Sequence, residues 1–178
     1  VTIRVAVTGD LDRLAALAAA TFPLAAPDDA APESLAEFIE LNLSAARFAE
    51  YLDAPDHEVL VNEEGDLITG YAMLVDGEPV DPDVLGALSI RPTIALSKFY
   101  VSPDAHGLGV ANRLMVAAFH AAERRGAAAM WLGVNQENLR AQRFYARHGF
   151  EQVGTKRFQV GARLEHDFVL ERRLRFRL

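Results

Sequence analysis

Between Ile94 and Met115 the chain reads IALSKFYVSPDAHGLGVANRLM, an apolar run that meets a glycine-flanked loop and then a helical repeat. Ile94, Leu96, Phe99, Tyr100 and Val101 are residue types that suit a pleated, half-buried strand, and Pro103 ends it. From Val110 onward Leu114, Ala117, Ala118 and Ala121 recur at helical spacing, which predicts a long helix through ANRLMVAAFHAAERR. The loop between, His106-Gly107-Leu108-Gly109-Val110-Ala111, has few bulky side chains. The first amides of a helix have no partner within it, and the helix dipole adds positive potential there. The loop is therefore an expected anion site, most naturally for phosphate, formed by the amides of Gly107, Leu108, Gly109, Val110, Ala111 and Asn112.

Two other phosphate loops fail on the residues present. A dinucleotide fingerprint needs Gly-x-Gly-x-x-Gly directly after a strand and an acid about twenty residues on, at the end of a second strand. Here Asn112 takes the third glycine's place, Ser102 to Ala105 intervene, and Glu123 still lies on the helix. A Walker loop needs Gly-Lys-Ser/Thr, which the loop lacks.

A second stretch, Val134 to Phe150, reads VNQENLRAQRFYARHGF. It predicts a strand end, a turn, a helix from about Asn138 to His148, and Gly149 as a left-handed stop. Together the two stretches resemble the GNAT superfamily, the acyl-CoA-dependent N-acyltransferases. The first matches that family's strand and phosphate loop at His106, Gly109 and Ala111; the second matches its Asn, Ala, Tyr and Gly-Phe pattern at Asn138, Ala141, Tyr145, Gly149 and Phe150. The paired match covers roughly 94–154 in the family's order and spacing. Two positions depart from it. His106 replaces the usual Arg or Gln, and Gly133 stands where some relatives place a glutamate base.

The rest of the chain agrees with one soluble domain over residues 1–178. Without cysteine there is no thiolate nucleophile, disulfide framework or thiolate metal site, and no His or carboxylate pair has convincing metal-ligand spacing. Acidic residues precede LAALAAATF where a signal peptide would be basic, and no apolar run is long enough for a membrane span. The expected location is the cytoplasm. Net charge is −7, unevenly placed: eleven acids face one base, Arg47, between Phe22 and Glu64, whereas ten Arg or Lys face four acids from Leu139 on. Basic residues without an aromatic stacking stripe argue against a nucleic-acid partner.

Taken in order, an opening strand spans Thr2 to Val7 and a helix follows to about Ala20. The three prolines of Thr21 to Pro32 predict a loop. Glu33 to Leu52 reads as one helix or two, and His57 to Val61 with Leu67 to Val75 as a hairpin turning at Gly65. Asp76 to Arg91 reads as a long connection and candidate flap. After the organising strand and helix come a strand at Ala128 to Val134, the second motif's helix, and strands near Gln152 to Phe158 and Leu164 to Glu171, with the terminal RRLRFRL available to extend the last. The predicted class is α/β (α+β). The resemblance implies a mixed, mostly antiparallel twisted sheet of about seven strands flanked by about four helices, with one central parallel pair that splays apart at the strands ending at Val101 and Val134.

The resemblance also implies chemistry: transfer of an acetyl group from acetyl-CoA to a primary amine, with no metal. The pantetheine arm, which carries two amides, would lie along the strand edge at Phe99, Tyr100 and Val101. Tyr145 would donate a proton to the departing thiolate, since a phenol near pKa 10 can protonate a thiolate whose acid lies near 8.5. Asn138 would cap its helix and reach the cofactor. Arg113, Arg140 and Arg143 are candidates for the nucleotide phosphates. For the base, with no side chain at Gly133, the candidates are Glu33, Glu37 or Glu40 acting through water, or no dedicated base; His106, His120 and His148 are read as structural. The acceptor wall is expected from Thr21 to Arg47 and Phe158 to Glu165, whose acids suggest a small cationic, polyamine-like amine or a peptide N-terminus. A non-catalytic acyl-CoA sensor and a nucleotide-dependent oxidoreductase are the competing readings. Oligomeric state stays open, with a homodimer among the options.

Overall fold

A computed structural model describes residues 1–175. The opening strand forms as β1 (Thr2–Val5), and the first helix, α1, runs over Leu11–Ala25. It therefore continues into the stretch expected to be a loop. Pro23 lies in its last turn, where its missing N–H removes one bond, to the carbonyl four residues earlier, and the helix ends two residues on. Pro32 starts α2 (Pro32–Leu43), where its fixed φ suits the first helical position, and only Pro27 is left in the connection. The next segment is two helices: extended Ser44 separates α2 from α3 (Ala45–Asp53), and its hydroxyl accepts from the Arg47 amide.

The hairpin forms as β2 (His57–Glu64) and β3 (Leu67–Asp76), with Gly65 at φ +58° in the turn. The connection expected as a flap contains α4 (Pro82–Ala87) and is tied to the sheet. Glu171, 5% exposed, accepts hydrogen bonds from the amides of Ser89 and Ile90 and from the Ser89 hydroxyl, while Ala87 packs so closely on Gly154 that a Cβ there would lie 2.7 Å away. Both contacts fall at the end of the connection, so they fix 87–90 against the sheet and do not reach 77–81.

Then follow β4 (Thr93–Val101), α5 (Val110–Arg124), β5 (Ala129–Asn135), α6 (Leu139–Arg147), β6 (Glu151–Val160) and β7 (Arg163–Arg173). Arg172 and Arg173 of the terminal RRLRFRL belong to β7; Leu174 and Arg175 do not, and 176–178 lie outside the described residues. The seven strands form one sheet in the order β1-β2-β3-β4-β5-β7-β6, antiparallel except for β4 and β5. Beyond the four helices expected, the described chain gains the split at Ser44 and the short α4.

Both sheet faces are covered, which is why β3 reads as a nearly continuous apolar run and β2 is buried on successive residues from Val59 to Asn62. Leu60, Leu74, Ile94, Leu96, Met130 and Leu132 pack under Leu114, Met115 and Ala118 of α5. On the other face Val59, Val61, Tyr71 and Met73 meet Leu14, Phe22, Leu43 and Phe48 from α1, α2 and α3. Each fully buried leucine here contributes about 1.5–3 kcal/mol.

Candidate active site

The parallel pair holds the key geometry. Register between β4 and β5 runs Thr93 with Ala129, Ile94 with Met130 and Ala95 with Trp131, and stops there. Beyond Ala95 the two strands diverge, although β4 continues to Val101 and β5 to Asn135. A bulge sits at the divergence: Met73 opposes Lys98 and Leu74 opposes Leu96, which leaves Ser97 as the extra residue. Such an insertion bends and twists its strand. The edge of β4 along Phe99, Tyr100 and Val101 thus opens into a cleft of about 1310 Å³ that these three residues line.

At one end of the cleft lies the loop before α5. Gly107 and Gly109 have φ of +81° and +76°, a backbone region that disfavours side chains. No side chain caps α5, and its first amide to donate back to the chain is that of Arg113, to the Gly109 carbonyl at 3.1 Å. Among the described residues the amides of Gly107, Gly109, Val110, Ala111 and Asn112 donate to no protein acceptor, whereas that of Leu108 reaches the Ala105 carbonyl at 3.4 Å. Leu108 is exposed and the Val110 side chain is buried, so the loop offers main chain.

His106 is a brace. Its Nε2 lies 3.2 Å from the Val101 carbonyl and its Nδ1 2.9 Å from Arg140 Nη2. The guanidinium only donates, so Nδ1 accepts and Nε2–H donates to the carbonyl. This ties the end of β4 to α6. Arg113 folds back on the Leu108 carbonyl at 3.0 Å, and Arg143 is exposed outside the cleft wall.

Asn138 caps α6 by accepting from the Ala141 amide at 3.1 Å, and it lines the cleft. Gly149, at φ +84°, ends the helix; the amides of Gly149 and Phe150 return to the carbonyls of Ala146 and Tyr145. Between these caps Tyr145 is half-buried among Phe99, Phe144 and Phe150, with ring centroids 6.3, 5.5 and 5.7 Å away. Its hydroxyl has no hydrogen-bond partner among the described residues, and the side chain lines the cleft. Burial, with Tyr100 nearby, raises the Tyr145 phenol well above its ordinary value, and burial followed by the charge of Asp167 pushes Tyr100 up to about 12. Both phenols remain protonated at neutral pH.

The model of the acetyltransferase (GNAT) family matches residues 13–150. The chain belongs to the GNAT family. An uncharacterized N-acetyltransferase of Mycobacterium tuberculosis is 47% identical over 165 residues, 93% of this chain and 98% of its own. The PaiA N-acetyltransferase of Thermoplasma acidophilum, solved in complex with coenzyme A, shares the fold at a TM-score of 0.74 and 17% identity, over 97% of this chain and 99% of its own. The ribosomal-protein-S18-alanine N-acetyltransferase of Escherichia coli superposes at 0.69 and 17% identity, over 99% and 95%. As a GNAT acetyltransferase the protein is an enzyme that moves an acyl group from acyl-CoA to an amine. An unpaired strand edge beside a helix start with free amides fits the two amides and the pyrophosphate of coenzyme A.

The acceptor side of this GNAT cleft differs from the sequence expectation. Glu33, Glu37 and Glu40 are exposed on the outer side of α2 and do not line the cleft, because Leu35, Phe38 and Ile39 take the inward positions. His120 is likewise exposed, and His148 Nδ1 contacts the Phe144 carbonyl at 2.9 Å. Among the lining residues that sequence reasoning missed are Lys98, Trp131, Lys156 and Asp167. Lys98 lies over the Tyr51 ring at 5.3 Å, and burial reinforced by Arg47 lowers it to about 8. Asp167 is 7% exposed, with burial raising its carboxyl above the ordinary range. The Trp131 indole N–H and Asp167 Oδ1 are buried without a partner among the described residues. One signal did exist in the sequence: Glu165, Asp167 and Glu171 alternate with period two in β7 and share its inner face with Val169.

Proposed function

We propose that this enzyme, acting in the cytoplasm as a single domain, transfers an acetyl group from acetyl-CoA to a primary amine, with Tyr145 as the proton donor to the departing thiolate. The observation that carries this is the unpartnered Tyr145 hydroxyl in the cleft where β4 and β5 part. The open edge of β4 at Phe99, Tyr100 and Val101 holds the pantetheine arm. The amides of the loop from Gly107 to Asn112 grip the pyrophosphate, and Asn138 adds a side-chain contact. Acetyl-CoA supplies the activated thioester; the chain orients it, keeps water out with the Phe99 and Phe144 rings, and keeps a proton ready on the phenol.

For the acceptor we take a small cationic amine or a peptide N-terminus. Lys98 and Lys156 line the cleft without a carboxylate ion pair among the described residues, so they repel a ligand bearing several positive charges. This favours a single ammonium over a polyamine. Steady-state assays with spermidine beside monoamines and short peptides test that preference, and efficient use of spermidine would reverse it.

Replacing Tyr145 by Phe is expected to lower kcat by about 100-fold or more while acetyl-CoA affinity, read by calorimetry, stays unchanged. Undiminished turnover would remove Tyr145 from the chemistry. Retained acetyl-CoA binding by a protein that acylates none of a broad panel of amines would support the sensor reading instead.

A further inference from the structure

Gly133 leaves β5 without a carboxylate at the point where the cleft opens, and the neighbouring strands occupy the vacant volume. A Cβ built on Gly133 would lie 2.5 Å from Lys156 Cε and 3.3 Å from Asp167 Oδ2. A longer residue at 133 would have to displace the end of the Lys156 side chain and press on Asp167. Asp167 comes from β7, opposite Asn135 of β5 and Lys156 of β6 in the two antiparallel registers. It lines the cleft, and its Oδ1 is buried without a partner among the described residues. A buried polar atom with no partner is costly, and one kept at the wall of a reaction cleft is poised to meet a ligand.

We infer that Asp167 is the general base, the carboxylate that removes a proton from the attacking amine in place of a group on β5. This rests on the acetyl-transfer reading above. The acceptor ammonium gives one proton to an Asp167 oxygen and becomes the nucleophile. As the N–C bond forms and the C–S bond breaks, the electron pair of the latter goes to sulfur, which takes a proton from Tyr145. The nitrogen's second surplus proton restores the phenol, and Asp167 returns its own to solvent. The sum is one amide, one thiol and one released proton.

The groups facing Asp167 fix how it titrates. Lys156 from β6 and His166 on β7 favour its charged form, Glu165 on β7 disfavours it, and β4 contributes Tyr100; β5 presents Gly133 and Asn135, neither of which titrates. Lys156 Nζ is drawn over the Phe158 ring, 4.9 Å from its centroid, and forms no ion pair with the carboxylate. Burial outweighs the cations and leaves the carboxyl above its ordinary range.

The test is the pH profile of kcat/KM for the wild type, Asp167→Asn, Asp167→Glu and Lys156→Met, with acetyl-CoA affinity and melting temperature measured on each. A 13C NMR titration of the Asp167 carboxyl in the protein alone gives a readout independent of turnover. Asp167→Asn is expected to lower kcat at least 100-fold at unchanged acetyl-CoA affinity and to abolish the acid limb of the profile. Asp167→Glu should restore part of the rate, Lys156→Met should move the acid limb to higher pH, and the NMR midpoint should lie above the usual aspartate value. Wild-type kcat and acid limb in Asp167→Asn, or an ordinary NMR midpoint, would overturn the assignment while leaving acetyl transfer intact. If the wild type fails to bind acetyl-CoA, both readings fall.

Discussion

Asp10 has no exposed surface, yet it holds its charge between two arginines. Arg4 approaches one oxygen at 2.7 Å and Arg13 the other at 2.6 Å; the Val7 amide donates at 2.8 Å, and Glu63 on β2 shares both guanidiniums. The hydrogen bond from Arg4, partly offset by burial, brings the carboxyl down to about 2. Its folded pKa therefore lies below its unfolded one. The stabilisation is complete above about pH 4 and is lost as pH falls toward 2. Asp10→Asn is expected to destabilise by roughly 2 kcal/mol at pH 7, measured by urea unfolding, and the difference from wild type should shrink as the pH is lowered through that window. A constant difference across it would mean that the contact acts through shape rather than charge.

Among the elements, the connection between β3 and β4 depends most on one side chain. Glu171→Ala leaves the amides of Ser89 and Ile90 without their acceptor and should cost about 2–3 kcal/mol, with faster hydrogen exchange at 88–91 than elsewhere. This tether was not legible in the sequence, because proline and glycine mark a loop without saying what holds it. The same limit hid α4. Where punctuation and period coincide, as in β4 through α5 and in α6 between Asn138 and Gly149, the elements could be read within a residue or two. The run from Thr21 to Pro32 misled because proline is tolerated at the ends of helices: Pro23 costs one bond in the last turn of α1 and Pro32 suits the first position of α2. In the cleft, motif residues were legible since their roles use backbone conformation or helix caps, signals local in sequence. Lys98, Lys156 and Asp167 come to line one cleft only through the pairing of distant strands, and no local pattern announces that they share it.

For the whole molecule, two packed faces around one sheet make the cleft part of the global fold. A ligand that binds the folded state alone adds about 2.7 kcal/mol at one hundred times its Kd, which for a chain of this size raises Tm by about 5–10 °C. Acetyl-CoA is expected to do this and NAD to leave the melt unmoved; a shift with NAD alone would revive the oxidoreductase reading. The parting of β4 from β5 has an evolutionary consequence. What the diverging strand presents along its open edge is backbone N–H and C=O groups, and the N–H is common to all residues but proline. Exchanging Phe99 or Val101 for another β-former leaves that surface in place, so on the proposed reading the acceptor wall can change while the grip on the donor persists, and proline is the substitution that removes an amide from it.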